Sequence, residues 1–562
     1  MTHPFFERHE ALLREAVDAV ARRGHWSPYP EVPSGKIYGE TANADGKAAF
    51  EARLGKPFVF PHCTAAGQVG WERSPYGFDL GITYPEVAHD ALLQASAAAA
   101  VTWRKAGPRA WTGVALEILA RLNRRSFEIG YATMHTSGQA FVMAFQAGGP
   151  HAQDRGLEAV AWAWRLMDGI PASALWEKPQ GKNAPLRMKK QYRIVPRGTA
   201  LVIGCCTFPT WNSYPGLFAS LATGNTVVVK PHPGAILPLA LTVETARDVL
   251  LEAGFDPNVV MLAAHDANDD RTAALAVRPE IRIIDFTGSS ANGEWLERNA
   301  RQALVFTEKA GVNQVVVDAT DDLHGMARNL AFSLTLYSGQ MCTAPQNIYI
   351  PKGGIDTPEG RVGFDAVVQA IAAAVAELIA DPTRALDVTG ALQNDAVLAR
   401  VDRARGLGEV VLDSRSLTHP QFPHACIRTP LVVKLSGSDE NVFLQEHFGP
   451  VSFAVATDDT AHSLTLAGKA AREHGALTLS LYAREPALIE QVRDLAADCG
   501  VALSVNLTGG VFVNQSAAFS DFHGTGANPA ANASLTDAAF VANRFRVVQS
   551  RAHVQPKGQH EF

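Results

Sequence analysis

The sequence predicts an α/β protein built on two open parallel sheets that follow one another along the chain. Short apolar runs alternate with helical stretches from about residue 193 onward, at residues 199–206, 226–229, 259–262, 281–286 and 315–317. The alternation resumes after Cys342, at residues 347–350, 410–412, 431–435, 452–456, 477–482 and 503–505. Strands that are apolar on both faces are typical of parallel sheets covered by helices. A ligand cleft is expected at their carboxyl ends.

The composition describes a large folded protein. The chain has 562 residues, of which 47% are hydrophobic and 19% are charged, and this balance excludes general disorder. The net charge of −6 argues against a nucleic-acid or membrane-surface partner. Six cysteines are too few for a disulfide scaffold. The first residues carry charges where a secretion signal would be apolar, and no long uncharged apolar stretch follows, so a cytoplasmic location is predicted.

The part of the chain before the first sheet divides into two regions. The first 80 residues are rich in proline, glycine and aromatic residues, which favours an extended arm around a larger body. Helical periodicity starts near Pro85, and helices are predicted over residues 92–103, 113–122 and 156–167.

Two residues suited to covalent catalysis lie between the predicted sheets. Cys342 is in the turn YSGQMCT at residues 337–343, and a cysteine in such a turn at a domain junction is a candidate nucleophile. Glu308 is in FTEKAG at residues 306–311, just after a strand and 34 residues before Cys342. Taken alone, each also fits an ordinary role, as a small buried cysteine or a surface glutamate that starts a loop.

Three further segments have the character of binding turns. The sequence FTGSS at residues 286–290 runs from a strand through a small-residue turn into a helix, where free backbone N–H groups and the helix dipole favour an anion. The other two are TGNTVVVKP at residues 223–231 and EHFGPV at residues 446–451. Each alone is also compatible with simple turn chemistry.

Together, and in this order, the five segments resemble the aldehyde dehydrogenase superfamily, whose members carry GNTVVxKP, FTGS, ELGG, GQxC and ExFGPV strings. The resemblance covers about residues 85–555. It implies the aldehyde dehydrogenase fold and the NAD(P)-dependent oxidation of an aldehyde to a carboxylic acid. Cys342 would attack the aldehyde and then carry a thioester, and Glu308 would activate the water that hydrolyses it.

The resemblance also implies a dinucleotide site without a GxGxxG fingerprint, and no metal. Lys230 would bind the adenine-side ribose, and Gly288 and Ser289 would face the pyrophosphate. Glu446 would bind the nicotinamide-side ribose hydroxyls, and Phe448 would pack beside that ribose.

The oxyanion-hole position departs from the family pattern. An asparagine usually begins an NFP string there, and the matching string in this chain is TFP at residues 207–209, which begins with Thr207. Either Thr207 supplies the donor, or Asn212 reaches the site from five residues further on. Asn212 is equally compatible with a helix cap.

A second departure concerns the choice of dinucleotide. NAD-preferring members often carry a glutamate three residues after the strand lysine, where it repels a 2′-phosphate, but this chain has Pro233 there. His232 could assist a phosphate, although it is also an ordinary turn residue. The sequence therefore predicts NADP as the preferred cofactor, with NAD also possible.

A narrower resemblance suggests the substrate. The opening HPFFERH at residues 3–9, CCTFPTWN at residues 205–212 and FSDFHGTG at residues 519–526 are similar to the phenylacetic acid degradation proteins of the PaaN type. That family implies a CoA-bound, ring-opened aldehyde (3-oxo-5,6-dehydrosuberyl-CoA semialdehyde) as substrate, with the ring-opening hydratase on a separate polypeptide. His523, in the third segment, and His447, beside Glu446, are the histidines that we expect to matter.

Three alternatives remain open from the sequence. The first is oxidation of another CoA-linked or medium-chain aldehyde, for example one from benzoyl-CoA ring cleavage. The second is an acylating enzyme, against which Glu308 argues, and the third is a non-catalytic scaffold of the same fold.

The predicted domains follow from the order of these segments. Residues 1–186 and 197–307 would form the NAD(P)-binding domain with its N-terminal arm, and residues 308–525 would form the catalytic domain. Residues 187–196 and 543–554 would be bridging strands. In this family such strands pair between subunits, which implies a homodimer or homotetramer.

Overall fold

A computed structural model describes residues 3–59, 65–266 and 271–554 of the chain. Two sheets, one of five strands and one of seven, confirm the predicted architecture. A search of the helices within the described ranges finds none that is long and apolar enough to cross a membrane.

The N-terminal region is more regular than the extended arm that the sequence predicted. Helix α1 (Pro4–Arg22) starts where the His3 side chain accepts a hydrogen bond from the Phe5 N–H, and it ends at Arg23 in the left-handed conformation. Its apolar residues recur at helical spacing and are buried, so the prediction of an irregular arm is wrong for this stretch. The following elements are short: α2 (Gly35–Tyr38), α3 (Ala42–Glu51), β1 (Gly67–Val69), β2 (Arg73–Ser74), β3 (Phe78–Asp79) and β4 (Tyr84–Glu86).

Five helices follow. They are α4 (His89–Ala106), α5 (Pro108–Arg124), α6 (Ser126–Ser137), α7 (Phe141–Gly148) and α8 (Pro150–Asp168). Of these, α4 packs on strands of the first sheet, while the others pack mainly on helices. Helices α4, α5 and α8 confirm the three helices that periodicity predicted. Trp103 and Trp111 are completely buried among these helices, where the indole N–H of Trp111 donates to the Trp103 carbonyl over 2.8 Å.

The first large sheet is entirely parallel, and it follows a long antiparallel pair, β5 (Ser173–Gln180) and β6 (Asn183–Pro196). Its strands are β7 (Thr199–Ile203), β8 (Thr226–Lys230), β9 (Val260–Leu262), β10 (Ile281–Gly288) and β11 (Leu304–Lys309), in the spatial order β11-β10-β7-β8-β9. The helices are α9 (Pro209–Ala222), α10 (Leu237–Glu252), α11 (Arg271–Ala276) and α12 (Ser290–Asn299). Glu308 lies within β11 and not after it, and the predicted strand at residues 315–317 belongs to the second sheet.

The second large sheet is parallel except at one edge. In spatial order its strands are β16-β19-β20-β13-β12-β21-β22, with β16 antiparallel to β19. The strands of this half are β12 (Gln314–Val317), β13 (Asn347–Pro351), β14 (Ile355–Thr357), β15 (Gly360–Val362), β16 (Glu409–Leu412), β17 (Ser416–Leu417), β18 (Ile427–Arg428), β19 (Leu431–Ser436), β20 (Val451–Thr457), β21 (Thr478–Tyr482) and β22 (Ala502–Val505). The helices are α13 (Leu323–Thr335), α14 (Phe364–Leu378), α15 (Pro382–Val388), α16 (Asp395–Ala404), α17 (Glu440–Phe443), α18 (Thr460–Glu473) and α19 (Pro486–Cys499).

The C-terminal elements return to the first half of the molecule. Helix α20 (Ala538–Ala542) precedes β23 (Phe545–His553), which pairs with β6 to complete a three-stranded antiparallel sheet in the order β23-β6-β5. Arg544 lies between α20 and β23 and is completely buried against the Asp285 carboxylate of β10, with bonds of 2.5 and 2.8 Å. This ion pair fastens the end of the chain to the first sheet.

Candidate active site

The backbone before Cys342 is held in an unusual conformation. Tyr337, Ser338 and Gly339 all have positive φ angles, of 53°, 50° and 65°. A left-handed conformation is unfavourable for Tyr337 and Ser338, because they carry side chains. It persists only where contacts with the surrounding protein hold it in place. Here the hydroxyl of Ser338 donates to the Gly390 carbonyl over 2.9 Å, and the Tyr337 hydroxyl donates to the Ser137 carbonyl. The turn that presents Cys342 is therefore rigid and pre-set.

Asn313 holds the main chain of Cys342 in place. Its side-chain amide donates to the Cys342 carbonyl over 2.8 Å and to the Ala344 carbonyl over 3.0 Å. Its side-chain oxygen accepts from the N–H groups of Leu477 and Thr478, at 3.0 Å each. Asn313 thus ties the nucleophile turn to strand β21.

Glu308 is buried at the centre of a hydrogen-bonded group. Oε2 accepts from the Asn212 amide over 3.2 Å, and Oε1 lies 3.0 Å from Nε2 of His523. Although burial raises the pKa of Glu308, His523, the Cys342 thiol and Asn212 together lower it below its usual value. The carboxylate is therefore ionised, and it accepts every one of these bonds.

The bonds of His523 continue into a longer network. Because an ionised carboxylate is acceptor-only, Nε2 of His523 carries a hydrogen. Nδ1 lies 3.4 Å from the hydroxyl of Ser516, which in turn accepts from Arg155 over 2.9 Å. The ring also meets Trp211 edge-on, with the ring centroids 4.6 Å apart. These contacts fix the position of the imidazole beside Glu308.

The thiol of Cys342 is protonated in this arrangement. The surrounding protein and the negative charge of Glu308 raise the pKa of Cys342 well above its usual value. The thiol therefore donates to Glu308, and a proton acceptor already faces the candidate nucleophile.

Cys342, Glu308 and His523 also have the donor types of a metal site. Their candidate ligand atoms all lie within 4.8 Å of one another, a spacing that a tetrahedral zinc ion would accept. The hydrogen bonds that join Glu308 to Cys342 and to His523 account for the same geometry.

The structure separates the two candidate oxyanion donors. Asn212 lines the cavity next to Cys342 and donates to Glu308. The hydroxyl of Thr207 faces Sγ of Cys205 at 3.9 Å, and Thr207 is not among the residues that line the cavity. Asn212, which sits on helix α9, is therefore the better placed of the two.

The carboxyl ends of the first sheet bring together donors suited to a dinucleotide. Lys230 is the last residue of β8, and Gly288 is the last residue of β10. These two strands flank β7, in which Ile203 pairs with Lys230 on one side and with Phe286 on the other. Ser289 caps helix α12 by accepting from the Asn292 N–H over 3.4 Å. The Lys230 ammonium group and the N-terminus of helix α12 lie at the carboxyl ends of these strands. Together they suit the hydroxyl and anionic groups of a dinucleotide.

The second part of the predicted cofactor site packs on the nucleophile turn. A Cβ atom at Gly339 would lie 2.5 Å from the Gly449 carbonyl, so the EHFGPV loop and the turn touch backbone to backbone. The Phe448 carbonyl accepts from Arg400, and the His447 N–H donates to Gln346 over 2.7 Å. These bonds position Glu446 and Phe448 in relation to Cys342.

His232, the remaining residue predicted to bind the cofactor, forms a hydrogen bond within its own turn. His232 accepts at Nδ1 from the Gly234 N–H over 3.1 Å, as a turn residue does. This leaves a single ring N–H for any phosphate.

A cavity of about 670 Å³ opens beside Cys342. Asn212, His523 and Cys342 line it, and so do residues of the segment 25–31. Its size suits a ligand of moderate length. Lys230, Glu446 and Phe448, which are predicted to bind the dinucleotide, are not among the residues that line it.

Comparisons with known proteins identify the family. The sequence profile of the aldehyde dehydrogenase family matches residues 84–518. The chain belongs to the aldehyde dehydrogenase family of oxidoreductases. The crystal structure of an NAD-dependent aldehyde dehydrogenase from Burkholderia multivorans is 66% identical, with a TM-score of 0.98, over 99% of this chain and 100% of that one.

Curated relatives are more distant. N-succinylglutamate 5-semialdehyde dehydrogenase from Hahella chejuensis is 30% identical over 49% of this chain and 54% of its own length. The chain thus matches about half the length of that relative. The 1-pyrroline-5-carboxylate dehydrogenase from Bacillus subtilis is 25% identical over 73% of this chain and 76% of its own length.

Several residues of this aldehyde dehydrogenase site were not found from the sequence. Asn313, Arg155 and Ser516 act through hydrogen bonds between segments that are far apart in the chain. A polar residue before an apolar strand was a weak signal for Asn313. His523, noted only as one of two histidines of interest, is the one that contacts Glu308, whereas His447 packs on Phe453 at 5.0 Å.

Proposed function

We propose that this protein oxidises an aldehyde to a carboxylic acid with a nicotinamide dinucleotide, through a thioester on Cys342. The observation that carries the proposal is the contact of the Cys342 thiol, which lines the cavity, with the ionised, buried Glu308. A nucleophile with its own proton acceptor is what covalent acyl chemistry requires.

The residues at the carboxyl ends of the first sheet have the chemistry to bind a dinucleotide, which supports this part of the proposal. Lys230, Gly288 and Ser289 would hold its adenine-side ribose and pyrophosphate, and Glu446 and Phe448 would hold its nicotinamide side. When bound, the dinucleotide supplies the acceptor for the hydride that leaves the substrate.

The protein residues carry the remaining steps. Cys342 passes its proton to Glu308 and attacks the carbonyl carbon, and the resulting oxyanion is stabilised by the Asn212 amide and by the Cys342 backbone N–H. Loss of hydride leaves an acyl thioester on Cys342. Glu308, once deprotonated again, removes a proton from water, and the hydroxide displaces the thiolate to release the acid. His523 keeps Glu308 ionised between these steps.

The choice between the two dinucleotides is a separate proposal. Pro233 leaves space for a 2′-phosphate, and on that ground NADP was predicted. The similar protein from Burkholderia multivorans is described as NAD-dependent, and His232 offers only one ring N–H. We propose that NAD is used, and the preference for NADP stays a prediction that paired kinetics with both dinucleotides would test.

For the substrate, we propose the CoA-bound semialdehyde released by hydrolytic opening of an activated aromatic ring. The resemblance of residues 3–9, 205–212 and 519–526 to PaaN-type proteins supports it. The cavity, at about 670 Å³, has room for a long acyl chain next to Cys342. The hydratase that opens the ring would be a separate protein.

Assembly and location stay predictions. The sheet of β5, β6 and β23 exposes Leu175, Leu186, Val547 and Val548, and apolar residues on a sheet face favour pairing with a second copy. A homodimer or homotetramer in the cytoplasm is proposed, and light scattering would measure the assembly.

The decisive experiment follows reduction of NAD or NADP by its absorbance. The wild-type protein, Cys342→Ala and Glu308→Gln are mixed with simple aldehydes and with the ring-opened CoA semialdehyde made in situ. We expect no turnover by Cys342→Ala and at least a ~10²-fold slower steady state in Glu308→Gln. Turnover that survives Cys342→Ala would contradict the mechanism, and dinucleotide binding without any turnover would favour the scaffold. Faster turnover of simple aldehydes would contradict the CoA substrate alone.

A further inference from the structure

The segment CCTFPTWN at residues 205–212 folds back on itself beside the nucleophile. The thiol of Cys205 donates to Oδ1 of Asn212 over 3.6 Å, and its sulfur accepts from the Thr207 hydroxyl over 3.9 Å. At the other end of the amide, Nδ2 of Asn212 donates to Oε2 of Glu308 over 3.2 Å. The amide is therefore held at both ends, by a thiol on one side and by the candidate base on the other.

The turn that carries Cys205 is fastened to neighbouring parts of the molecule. The buried side-chain amide of Gln139 donates to the Thr207 carbonyl over 2.7 Å. The Thr210 hydroxyl, in the first turn of α9, donates over 2.8 Å to the carbonyl of Gly148, the last residue of α7. The thiol and the start of helix α9 are thus held in one fixed arrangement.

The two groups that hold the amide differ in how they behave during the proposed reaction. At rest Glu308 is an ionised acceptor, which keeps Nδ2 of Asn212 turned toward it. Once Glu308 has taken the proton of Cys342, it is a carboxylic acid that can donate as well as accept, so it no longer fixes the orientation of the amide. Burial raises the pKa of Cys205 to about 11, so this thiol keeps its hydrogen at neutral pH and remains a donor to Oδ1.

We propose that Cys205 is a positioning residue, whose thiol keeps the N–H groups of Asn212 turned toward the oxyanion that forms when Cys342 attacks. Cys205 is not among the residues that line the cavity, so it acts through Asn212 and not on the substrate. The inference rests on the proposed aldehyde oxidation and on Asn212 as oxyanion donor. It also gives Thr207, which replaces the asparagine of the family pattern, a place behind Cys205.

The test measures the rate constant of the first turnover, as the appearance of reduced dinucleotide, for wild type, Cys205→Ala and Cys205→Ser with one aldehyde. We expect a ~3–10-fold fall in Cys205→Ala, because one hydrogen bond that supports the transition state is lost. The affinity for the aldehyde should hardly change, since the bound aldehyde carries no oxyanion. Cys205→Ser retains a donor and should lose less than Cys205→Ala.

A double variant separates positioning from a general structural effect. In an Asn212→Ala background, Cys205→Ala should lower the rate no further, because no amide is left to orient. Two losses that multiply would show that Cys205 acts elsewhere, and would overturn the proposal.

Cys499→Ala is the matched control. Its buried thiol also donates to a carbonyl oxygen, that of Gly468 at 3.8 Å, but it lies at the end of helix α19. This variant should react as wild type does. An equal fall in Cys499→Ala and Cys205→Ala would mean that loss of any buried thiol slows the enzyme, and would overturn the specific role of Cys205.

Infrared spectroscopy tests the contact without relying on the alanine variant to fold. The S–H stretching band that disappears in Cys205→Ser should shift in Asn212→Ala, where the acceptor is absent. A band that does not move would overturn the contact.

The outcomes distinguish this proposal from the one on which it rests. Active wild-type enzyme with an unchanged first turnover in Cys205→Ala would overturn the positioning role and leave aldehyde oxidation intact. An unchanged rate in Asn212→Ala would do the same, because the donor itself would then be elsewhere. Absence of Cys342-dependent oxidation in wild type would overturn both proposals.

Discussion

Nε2 of His523 lies 3.0 Å from Oε1 of Glu308, although the two residues are 215 positions apart in the chain. The contact pairs an imidazole N–H with an ionised carboxylate that is only 1% exposed. On the far side of the ring, the Ser516 hydroxyl contacts Nδ1 of His523, and Arg155 donates to that hydroxyl. The candidate base Glu308 is thus held by a series of hydrogen bonds that runs through His523 and Ser516 to Arg155.

Replacing His523 should change the pH dependence of the enzyme. In wild type, His523 lowers the pKa of Glu308, so the carboxylate stays ionised at lower pH. In His523→Gln the pKa of Glu308 rises, and activity should be lost at a higher pH as the solution is acidified. A pH profile of kcat/KM measures the shift, and at neutral pH the loss should be smaller than the ~10²-fold loss of Glu308→Gln.

His462→Gln provides the control for this experiment. That histidine lies on the surface beside Asp458, at 3.4 Å, and its replacement should leave the profile unchanged. An acid limb that does not move in His523→Gln would show that the imidazole has only a structural role.

The oxyanion donor can be assigned by two alanine substitutions. Asn212→Ala should lower kcat by ~10²–10³-fold, because a preorganised donor beside Cys342 is removed. Thr207→Ala should lower it less than ~10-fold, since the Thr207 hydroxyl faces Cys205. Steady-state kinetics with one aldehyde would compare them, and the reverse order of effects would assign the donor to Thr207.

Gly339 should tolerate no side chain. Its φ of 65° is left-handed, and a Cβ atom would lie 2.5 Å from the Gly449 carbonyl. Gly339→Ala should separate the nucleophile turn from the Glu446 loop, so that dinucleotide affinity and kcat fall together and stability drops by about 1–3 kcal/mol. Calorimetric titration and kinetics would measure these effects.

Gly363→Ala is the matched control, because no atom lies within 4 Å of a Cβ built there. It should bind dinucleotide and turn over as wild type does. Normal dinucleotide binding by Gly339→Ala would contradict the coupling of the two segments.

The Arg544–Asp285 pair should contribute strongly to stability. Arg544→Met leaves the Asp285 carboxylate buried without its partner, and this should destabilise the protein by about 3–5 kcal/mol. Arg187→Met, which removes an exposed pair with Glu177, should change stability by at most about 1 kcal/mol. Urea unfolding of both variants measures the difference, and equal effects would contradict the role given to burial.

Local patterns in the sequence were sufficient to predict the two sheets. The apolar runs at residues 199–206, 226–229 and 281–286 become β7, β8 and β10, because a strand covered on both faces must be apolar along its length. Periodicity failed for α1, where prolines and aromatic residues concealed a helix whose apolar face is buried.

The candidate nucleophile and base were predicted from the sequence through the resemblance of five segments, taken together and in order, to the aldehyde dehydrogenase superfamily, because each segment alone also fits an ordinary role. Which partners surround them was decided only by the tertiary structure. Asn212 on Glu308, His523 on Glu308 and Ser27 on Asp154 are contacts between segments separated by many residues. Such contacts depend on how helices and loops pack, and no local spacing in the chain encodes them.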